Sequence, residues 1–448
     1  MPAATRLPLR TRAALAAAAS ARWASRTAGR GKGSMIGGLI AEKIDPQIMR
    51  RLAAGKKTAL VTGTNGKSTT TRMTAAALAT LGEVATQDDG ANMDAGIIAT
   101  LSLHQDAPLA ALEVDELHVP QVADSTSPTV ITLLNLSRDQ LDRVGEINVI
   151  ERRLRAAVAA HPDAVIVANC DDVLVASAAF DSRNVVWVAA GAGWVGDSVG
   201  CPRSGEPIIR RGDDWFSSGD EAFRRPTPRW WFDDDNVYGP DGFQAPLTLK
   251  VPGRANRGNA TQAVATAVAM GVDPVAAARA VGTVGEIAGR YGVVRLGDHR
   301  VRTLLAKNPA GWQEALSMID EDADSLVIAV NGQVPDGEDL SWLWDVRFEA
   351  FENTTVIAAG ERSADLSVRL LYAGAEHTVV DDPLAAIRSC PPGRVEVLAN
   401  YTAFRDLAIA LDRAGAGSEA SGPNRQGAGS EASGPNRHAA GQERISDE

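Results

Sequence analysis

The sequence predicts an α/β protein: a doubly wound, mostly parallel sheet built around a glycine-rich loop, followed by a smaller α/β domain. Three observations predict it. Short apolar and β-branched runs alternate with helix-length segments along most of the chain, the pattern of a parallel sheet covered by helices. The run Thr58–Thr62 opens directly onto Gly63-Thr64-Asn65-Gly66-Lys67-Ser68-Thr69, and a helical segment continues from Lys67 to about Leu81. A second β–α alternation begins near residue 294.

The strand–loop–helix is a device for binding nucleotide phosphates. Glycines let backbone N–H groups close on the oxyanions, and the helix N-terminus adds positive potential. In such a loop Lys67 reaches the β- and γ-phosphates and the Ser68 hydroxyl sits on Mg²⁺. The strict pattern G-x-x-x-x-G-K-[ST] asks for glycine at position 61, where the chain has Val61; the shorter form G-T-N-G-K-[ST]-T is the one that fits.

The whole composition bounds the answer. At 448 residues the chain has room for two or three domains with their own cores. No apolar run approaches the ~20 residues of a membrane span. A net charge of −11 sets nucleic acid aside as a partner. The three cysteines, Cys170, Cys201 and Cys390, form no C-x-x-C pair, which fits a reducing compartment and argues against a disulfide framework or a complete zinc site.

Residues 1–54 read as a basic, helical lead-in. Arg6, Arg10, Arg12, Arg22, Arg26, Arg30 and Lys32 precede the first acid, Glu42, and residues 11–28 are alanine-rich and helix-prone. A signal peptide with a short h-region, an organellar transit peptide, a basic helix resting on an anionic membrane and a solvated helix on the first domain all fit that composition. Residues 35–56 read as one further helix ending at Gly55.

Beyond the phosphate loop, Gly90–Gly96 is a second glycine-punctuated loop ahead of a helical segment, Ile97–Leu103. Ala107–Val114 reads as a strand ending in Glu113-Val-Asp115-Glu116. A carboxylate at the C-terminal end of a strand beside a phosphate loop is where a metal-binding acid belongs; a single surface acid is ordinarily just solvated. Strand Val130–Leu134 runs into the polar cluster Asn135-Leu-Ser-Arg138-Asp139-Gln140-Leu-Asp142-Arg143, and helix 147–160 and strand Ala164–Ala168 follow. Residues 190–246 break the rhythm with glycines, prolines, Trp230-Trp231 and Asp233-Asp-Asp235, as an insertion of short strands and turns does. Pro252-Gly-Arg-Ala-Asn256-Arg-Gly-Asn259 opens an alanine-rich helix to about Met270; its asparagines suit either a helix cap or an adenine edge.

In the second half, strands Val301–Leu305, Ser325–Val330, Thr354–Ala358, His377–Val380 and Val395–Leu398 are expected to form a small parallel sheet. The first leads into Lys307-Asn-Pro-Ala-Gly311, and the second leads toward Asp336-Gly-Glu-Asp339-Leu-Ser-Trp342-Leu-Trp344-Asp345. The tryptophans there suit an interface anchor or a core. Residues 413–448 are low-complexity, with one segment duplicated at 415–425 and 427–437; such a tail cannot bury a core and is expected to be disordered.

Gly63-Thr-Asn-Gly-Lys-Ser-Thr, the Glu113 strand end, Asn135-Leu-x-Arg-Asp-Gln-Leu-Asp-Arg143 and Pro252-Gly-Arg-x-Asn-x-x-Asn259 together resemble the central ATPase domain of the Mur ligases. The motifs at Lys307, at Asp336–Asp345 and at Leu398-Ala-Asn-Tyr-Thr402 narrow the resemblance to the MurT family within them. The resemblance spans about residues 35–412. It implies a central ATP-binding domain over 55–293, with 190–246 as a degenerate zinc-ribbon-like insertion, and a MurT-type C-terminal domain over 294–412.

The resemblance also implies a reaction: ATP activates the D-glutamate α-carboxyl of the lipid II stem peptide as an acyl phosphate, which ammonia converts to D-isoglutamine. A GatD-type class I glutamine amidotransferase subunit would deliver the ammonia, at the cytoplasmic face of the membrane that carries lipid II. By the same resemblance, Gly63 to Thr69, Asn259 and Arg290 would bind ATP, with Lys67 and Arg290 on its phosphates and Asn259 facing adenine. Ser68 and Glu113 would hold Mg²⁺, and Asp345, with Asp339 next, would assist the glutaminase across the interface. Relatives often carry four cysteines in the insertion. Here Cys201-Pro-Arg-Ser204 keeps one, and Ser217-Ser218 stand near the second pair, so no zinc is expected. Gln140 stands where amino-acid-adding Mur ligases have a metal-binding histidine, and Gly292 replaces an acid common in the family. An amino-acid-adding ligase of the Mur or folylpolyglutamate type and a nucleotide-binding scaffold without catalysis remain as other readings.

Overall fold

A computed structural model describes residues 7–27, 34–87, 91–138, 144–192, 194–285, 291–320, 323–337, 339–351 and 356–418. The chain enters through α1 (Leu9–Thr27) and α2 (Ser34–Ile44). Small residues let these helices pack closely: Ala14 and Ala18 are buried, and a Cβ on Gly37 would stand 2.9 Å from Arg22 Cγ. The single helix expected over 35–56 is two helices, because α2 ends at Ile44 and α3 covers Ile48–Ala53. Pro46 supplies no N–H at the break, and the Asp45 carboxylate organises it, accepting from Thr11 Oγ1, Gln47 N and Arg51 Nη1.

Six parallel strands form the central sheet: β1 (Lys57–Thr62), β2 (Val84–Thr86), β3 (Leu109–Glu113), β4 (Val130–Leu133), β5 (Val165–Asn169) and β6 (Val185–Val188). Their order is β2-β3-β1-β4-β5-β6. The intervening helices are α4 (Lys67–Leu78), α5 (Asp94–Leu103), α6 (Val119–Thr126), α7 (Val144–Ala160) and α8 (Val173–Ala179). All five residues of β3 and all four of β4 are buried, as a sheet covered on both faces requires. The insertion adds two antiparallel sheets: β7 (Ile208–Arg211) with β8 (Asp214–Ser217), and β9 (Trp231–Phe232), β10 (Asn236–Tyr238) and β11 (Gln244–Pro246). Helices α9 (Arg254–Ala269) and α10 (Pro274–Val281) return to the central sheet, and α9 packs along α4.

The second sheet takes up the chain as a hairpin, β12 (Tyr291–Leu296) and β13 (His299–Leu305). Next come α11 (Pro309–Leu316), β14 (Ser325–Ala329), β15 (Val356–Ala359), α12 (Ser363–Tyr372), β16 (His377–Val379), α13 (Pro383–Ser389), β17 (Gly393–Ala399), α14 (Tyr401–Arg413) and β18 (Gly417–Ser418). The order is β16-β15-β14-β17-β13-β12-β18. The expected parallel sheet is therefore mixed: five strands are parallel, and β12 and β18 add an antiparallel edge. Gly297, at φ 57°, makes the tight β12–β13 turn that reverses the chain. Ala414 and Ala416 pack on the second core and β18 pairs with β12, so part of the segment expected to be structureless from residue 413 is built into the sheet. The rest of that tail, 419–448, lies outside the described residues.

Candidate active site

The glycine-rich loop sits where the winding of the central sheet reverses. From β1 the chain builds β2 and β3 on one side and then crosses to β4 on the other; the crevice at the carboxyl ends of the strands is the ligand site of such sheets. Gly63 (φ 143°) and Gly66 (φ 81°) carry the turn. A Cβ on Gly63 would stand 2.8 Å from Leu134 Cβ, and one on Gly66 would stand 2.6 Å from Asn259 Oδ1. Only glycine fits both places.

The segment after β4 laces the loop in position. Thr64 N donates to Asn135 O (2.9 Å) and Asn65 N to Asn135 Oδ1 (2.9 Å), while Asn135 Nδ2 returns a bond to Asn65 O (3.0 Å). Thr64 Oγ1 donates to Ser137 O and accepts from Ser137 N. Helix α4 then starts from Gly66 with no side-chain cap and no acid in its first turn, which leaves its leading amides directed at an anion. Lys67 Nζ turns back onto Gly63 O (2.7 Å) and onto Glu116 Oε1 (3.1 Å). Ser68 is half-buried and Thr69 buried beside it. The uncapped amides and a lysine lodged on carbonyl oxygens fit a polyphosphate.

The acids at the end of β3 divide by environment. Glu113 is the register partner of Val61 on β1 and is buried. Gln87 brackets its backbone, accepting from Glu113 N (3.0 Å) and donating to Glu113 O (2.7 Å), and Asn92 Nδ2 approaches its carboxylate at 3.4 Å. Asp115 Oδ1 accepts from Leu117 N, and Glu116 is the partner of Lys67. Sequence reasoning placed Glu113 here but missed Gln87, which carries no motif, and the particular pairing of Glu116. Asn259, expected at an adenine edge, lies buried against Gly66 and within 3.3 Å of Asn256 Oδ1. Arg290, Asp139, Gln140, Asp142 and Arg143 lie outside the described residues.

Two contacts bring the C-terminal domain to this site. Asn308 caps α11, its Oδ1 accepting from Gly311 N (2.8 Å), and its amide also pairs with that of Asn65 at 3.3 and 3.4 Å. Arg138 Nη2 meets Asp345 Oδ2 at 3.4 Å, while Asp197 of the insertion grips the Arg138 Nε and backbone N. A cleft of about 1870 Å³ opens on the Asp345 side, lined in part by Trp194, Val195, Trp344, Arg347 and Glu349. It does not include the phosphate loop, where the charged groups converge, so its size does not mark it as the nucleotide site.

The three motif acids have separate roles. Asp336 receives Thr402 N (3.0 Å) and the Thr402 hydroxyl at the start of α14. Asp339 is exposed and caps a turn through Ser341 N (2.8 Å), a bond that holds its carboxyl below the usual range. Asp345 faces Arg138. The tryptophans split as well: Trp342 packs in the core with Trp312, and Trp344 is 56% exposed against Tyr372.

In the insertion, Cys201 is buried with Val173, Ala176, Trp215 and Phe223. Burial opposes ionisation of its thiol, but hydrogen bonds from Ser204, the neighbouring backbone and Ser217 outweigh it and lower its pKa. Ser204 and Ser217 hydroxyls stand 3.4 Å apart beside it. One thiol with two hydroxyls is a poor donor set for structural zinc, and among the described residues no group of three or more His, Cys, Asp or Glu side chains is placed to hold a metal ion.

The comparisons with known proteins agree with this geometry. Residues 61–194 match the Mur ligase middle domain and residues 305–404 the MurT ligase C-terminal domain. The lipid II isoglutaminyl synthase (glutamine-hydrolyzing) subunit MurT of Streptococcus pneumoniae is 27% identical over 417 residues, covering 84% of this chain and 92% of that one. Among solved structures, a pseudomurein peptide ligase type C from Methanothermus fervidus superposes with a TM-score of 0.62 at 17% identity, over 80% of this chain and 79% of that one. The MurF ligase from Thermotoga maritima, solved in complex with ADP, superposes with a TM-score of 0.54 at 14% identity, over 83% of each chain. Fold and phosphate loop thus define a Mur-type ligase architecture. Within it, residues 305–404 are of the MurT C-terminal type, and the chain is similar to MurT subunits over most of its length.

Proposed function

We propose that this chain is the ligase subunit of a lipid II isoglutaminyl synthase, amidating the D-glutamate α-carboxyl of the stem peptide at the expense of ATP. One observation carries the reading: a phosphate loop with Lys67 at its helix entry lies against a MurT-type C-terminal domain through the Asn65–Asn308 pair. On nucleotide binding, Lys67 exchanges Gly63 O and Glu116 for phosphate oxygens, and the α4 amides take the remaining charge. The substrate carboxylate attacks the γ-phosphorus, releasing ADP and leaving an acyl phosphate. Ammonia adds to the acyl carbon, inorganic phosphate departs and a proton is lost, giving the carboxamide. The Ser68 hydroxyl and Glu113 carboxylate would hold Mg²⁺, which supplies charge neutralisation on the phosphates when bound. Docking of the C-terminal domain over the loop excludes water from the hydrolysable intermediate.

The ammonia would come from a GatD-type glutaminase partner, with Asp345 or Asp339 oriented toward its histidine. We place the insertion without zinc, its fold held by Trp215, Phe223 and the Cys201–Ser204–Ser217 contacts. Among the described residues no helix is long and apolar enough to cross a membrane, and the proposed working place is the cytoplasmic side of the membrane that carries lipid II. Purified chain assayed for Mg²⁺-ATP turnover with lipid II and an ammonium salt tests the reading. Ammonia-dependent turnover is expected. Turnover dependent on an amino acid instead would identify an amino-acid-adding ligase, and none at all would identify a scaffold.

A further inference from the structure

We propose that the outer face of the α1–α2 hairpin docks on an anionic phospholipid surface. The buried side of α1 is made of Thr11, Ala14, Ala18 and Ser25, at helical spacing. The opposite side has no partner among the described residues: Leu9 is 80% and Trp23 70% exposed, four turns apart on one face, with exposed Ala13 and Ala16 between them. On α2, Ile36 and Leu39 are 46% and 56% exposed. A soluble helix does not ordinarily present Leu and Trp outward from a core built of alanine, and Trp is the side chain most at home where apolar chains meet headgroups.

Charge selects the occupant. The chain carries net charge −11, yet seven basic and no acidic side chains precede Glu42. Among the described residues Arg10 and Arg12 are exposed on α1, and an apolar helix face with exposed arginines and no acid beside it in sequence fits a phosphate-bearing lipid surface. Because α1 is too polar to span a bilayer, it would lie in the interface. The hairpin is rigidly seated, since a Cβ on Gly38 would stand 1.9 Å from the Ala95 carbonyl oxygen of α5. The loop leading into α5 carries Asn92, which approaches Glu113. A docked hairpin therefore holds the phosphate site beside the bilayer. This purpose rests on the lipid-linked acceptor proposed above; the docking itself does not.

Full-length chain is sedimented with vesicles of phosphatidylcholine alone and of phosphatidylcholine mixed with phosphatidylglycerol. Binding is expected only to the mixture, falling as salt rises. Arg12→Glu should weaken it by roughly tenfold or more, and Trp23→Asp should weaken it too. Both side chains are exposed, so thermal unfolding should be unchanged, as should ammonia-dependent turnover of a soluble, tail-shortened acceptor. Equal sedimentation with both vesicle types, or variants that bind like the parent, would overturn the proposal. So would variants that keep vesicle binding but lose co-elution with the glutaminase subunit, which would make the face a protein interface. Vesicle binding as expected without acceptor turnover would instead count against the ligase reading and leave the docking face standing.

Discussion

Arg138 of the central domain meets Asp345 of the C-terminal domain at 3.4 Å, with Asp197 holding the same guanidinium from the other side. Asp345 keeps a third of its side chain exposed and lines the interdomain cleft. A pair this accessible contributes about 0–1 kcal/mol, so its removal should hardly move stability. Asp345→Asn is expected to lose glutamine-dependent synthesis while keeping activity with free ammonium, and to leave subunit association largely intact. Equal loss of both activities would put Asp345 in the ligase site. Loss of neither would shift the role to Asp339, which is fully exposed in its turn.

Lys67 keeps only 12% of its side chain exposed, with its ammonium on the Gly63 and Thr64 carbonyls and on the buried Glu116 carboxylate. Lys67→Ala should lower ATP turnover by roughly 10²–10³-fold or more, the scale of losing one positioned charge-stabilising donor, and should also lower thermal stability, because the buried Glu116 carboxylate loses its lysine partner. Near-normal turnover in a steady-state ADP-release assay would remove the loop from the chemistry.

Glu113 and Glu116 should separate in a Mg²⁺ titration. Glu113→Ala should raise the Mg²⁺ concentration needed for half-maximal turnover, because a carboxylate ligand is lost. Glu116→Gln removes the partner of Lys67 and should leave that Mg²⁺ requirement near the parent value. An unchanged requirement in the Glu113 variant and a raised one in the Glu116 variant would exchange their roles.

The loop and its neighbours were legible because their chemistry is local: glycines at fixed offsets, a lysine at a helix entry and acids at a strand end. The contacts that assemble the site are long-range. Nothing near Asn308 in sequence announces Asn65, and nothing near Arg138 announces Asp345 or Asp197. The antiparallel edge of the second sheet was lost because β12 lies beside the central domain's end and β18 inside a low-complexity segment. Pro46 did signal the break between α2 and α3, but the surrounding apolar pattern read as one helix. The Trp342–Trp344 pair shows the limit of composition: alternate positions in a short 3₁₀ turn put one ring in the core and the other in solvent.

Asp172 gives a pH test of the central domain. It is fully buried at the start of α8, where its carboxylate accepts from Leu174 N, Val175 N and Leu136 N. Burial pushes its pKa from 3.8 to about 6 despite those bonds. A raised folded-state pKa means the stabilising contribution is full below about pH 3.8 and is lost as pH rises through about 6. Asn mimics the protonated form at every pH. In urea denaturation, the stability of the parent relative to Asp172→Asn should therefore be greatest near pH 4 and shrink by roughly 2–3 kcal/mol toward pH 7. A difference that stays constant, or grows with pH, would contradict the buried, raised pKa.

The account's central claim is that ATP activates the substrate carboxylate as an acyl phosphate. Its most direct test uses lipid II whose D-glutamate α-carboxylate carries heavy-isotope oxygen, turned over by the complex with its glutaminase or by this chain with ammonium. The account predicts that each turnover moves one carboxylate oxygen into inorganic phosphate, read by mass spectrometry, together with a carboxamide on the peptide. Amidated product with unlabelled phosphate would contradict it.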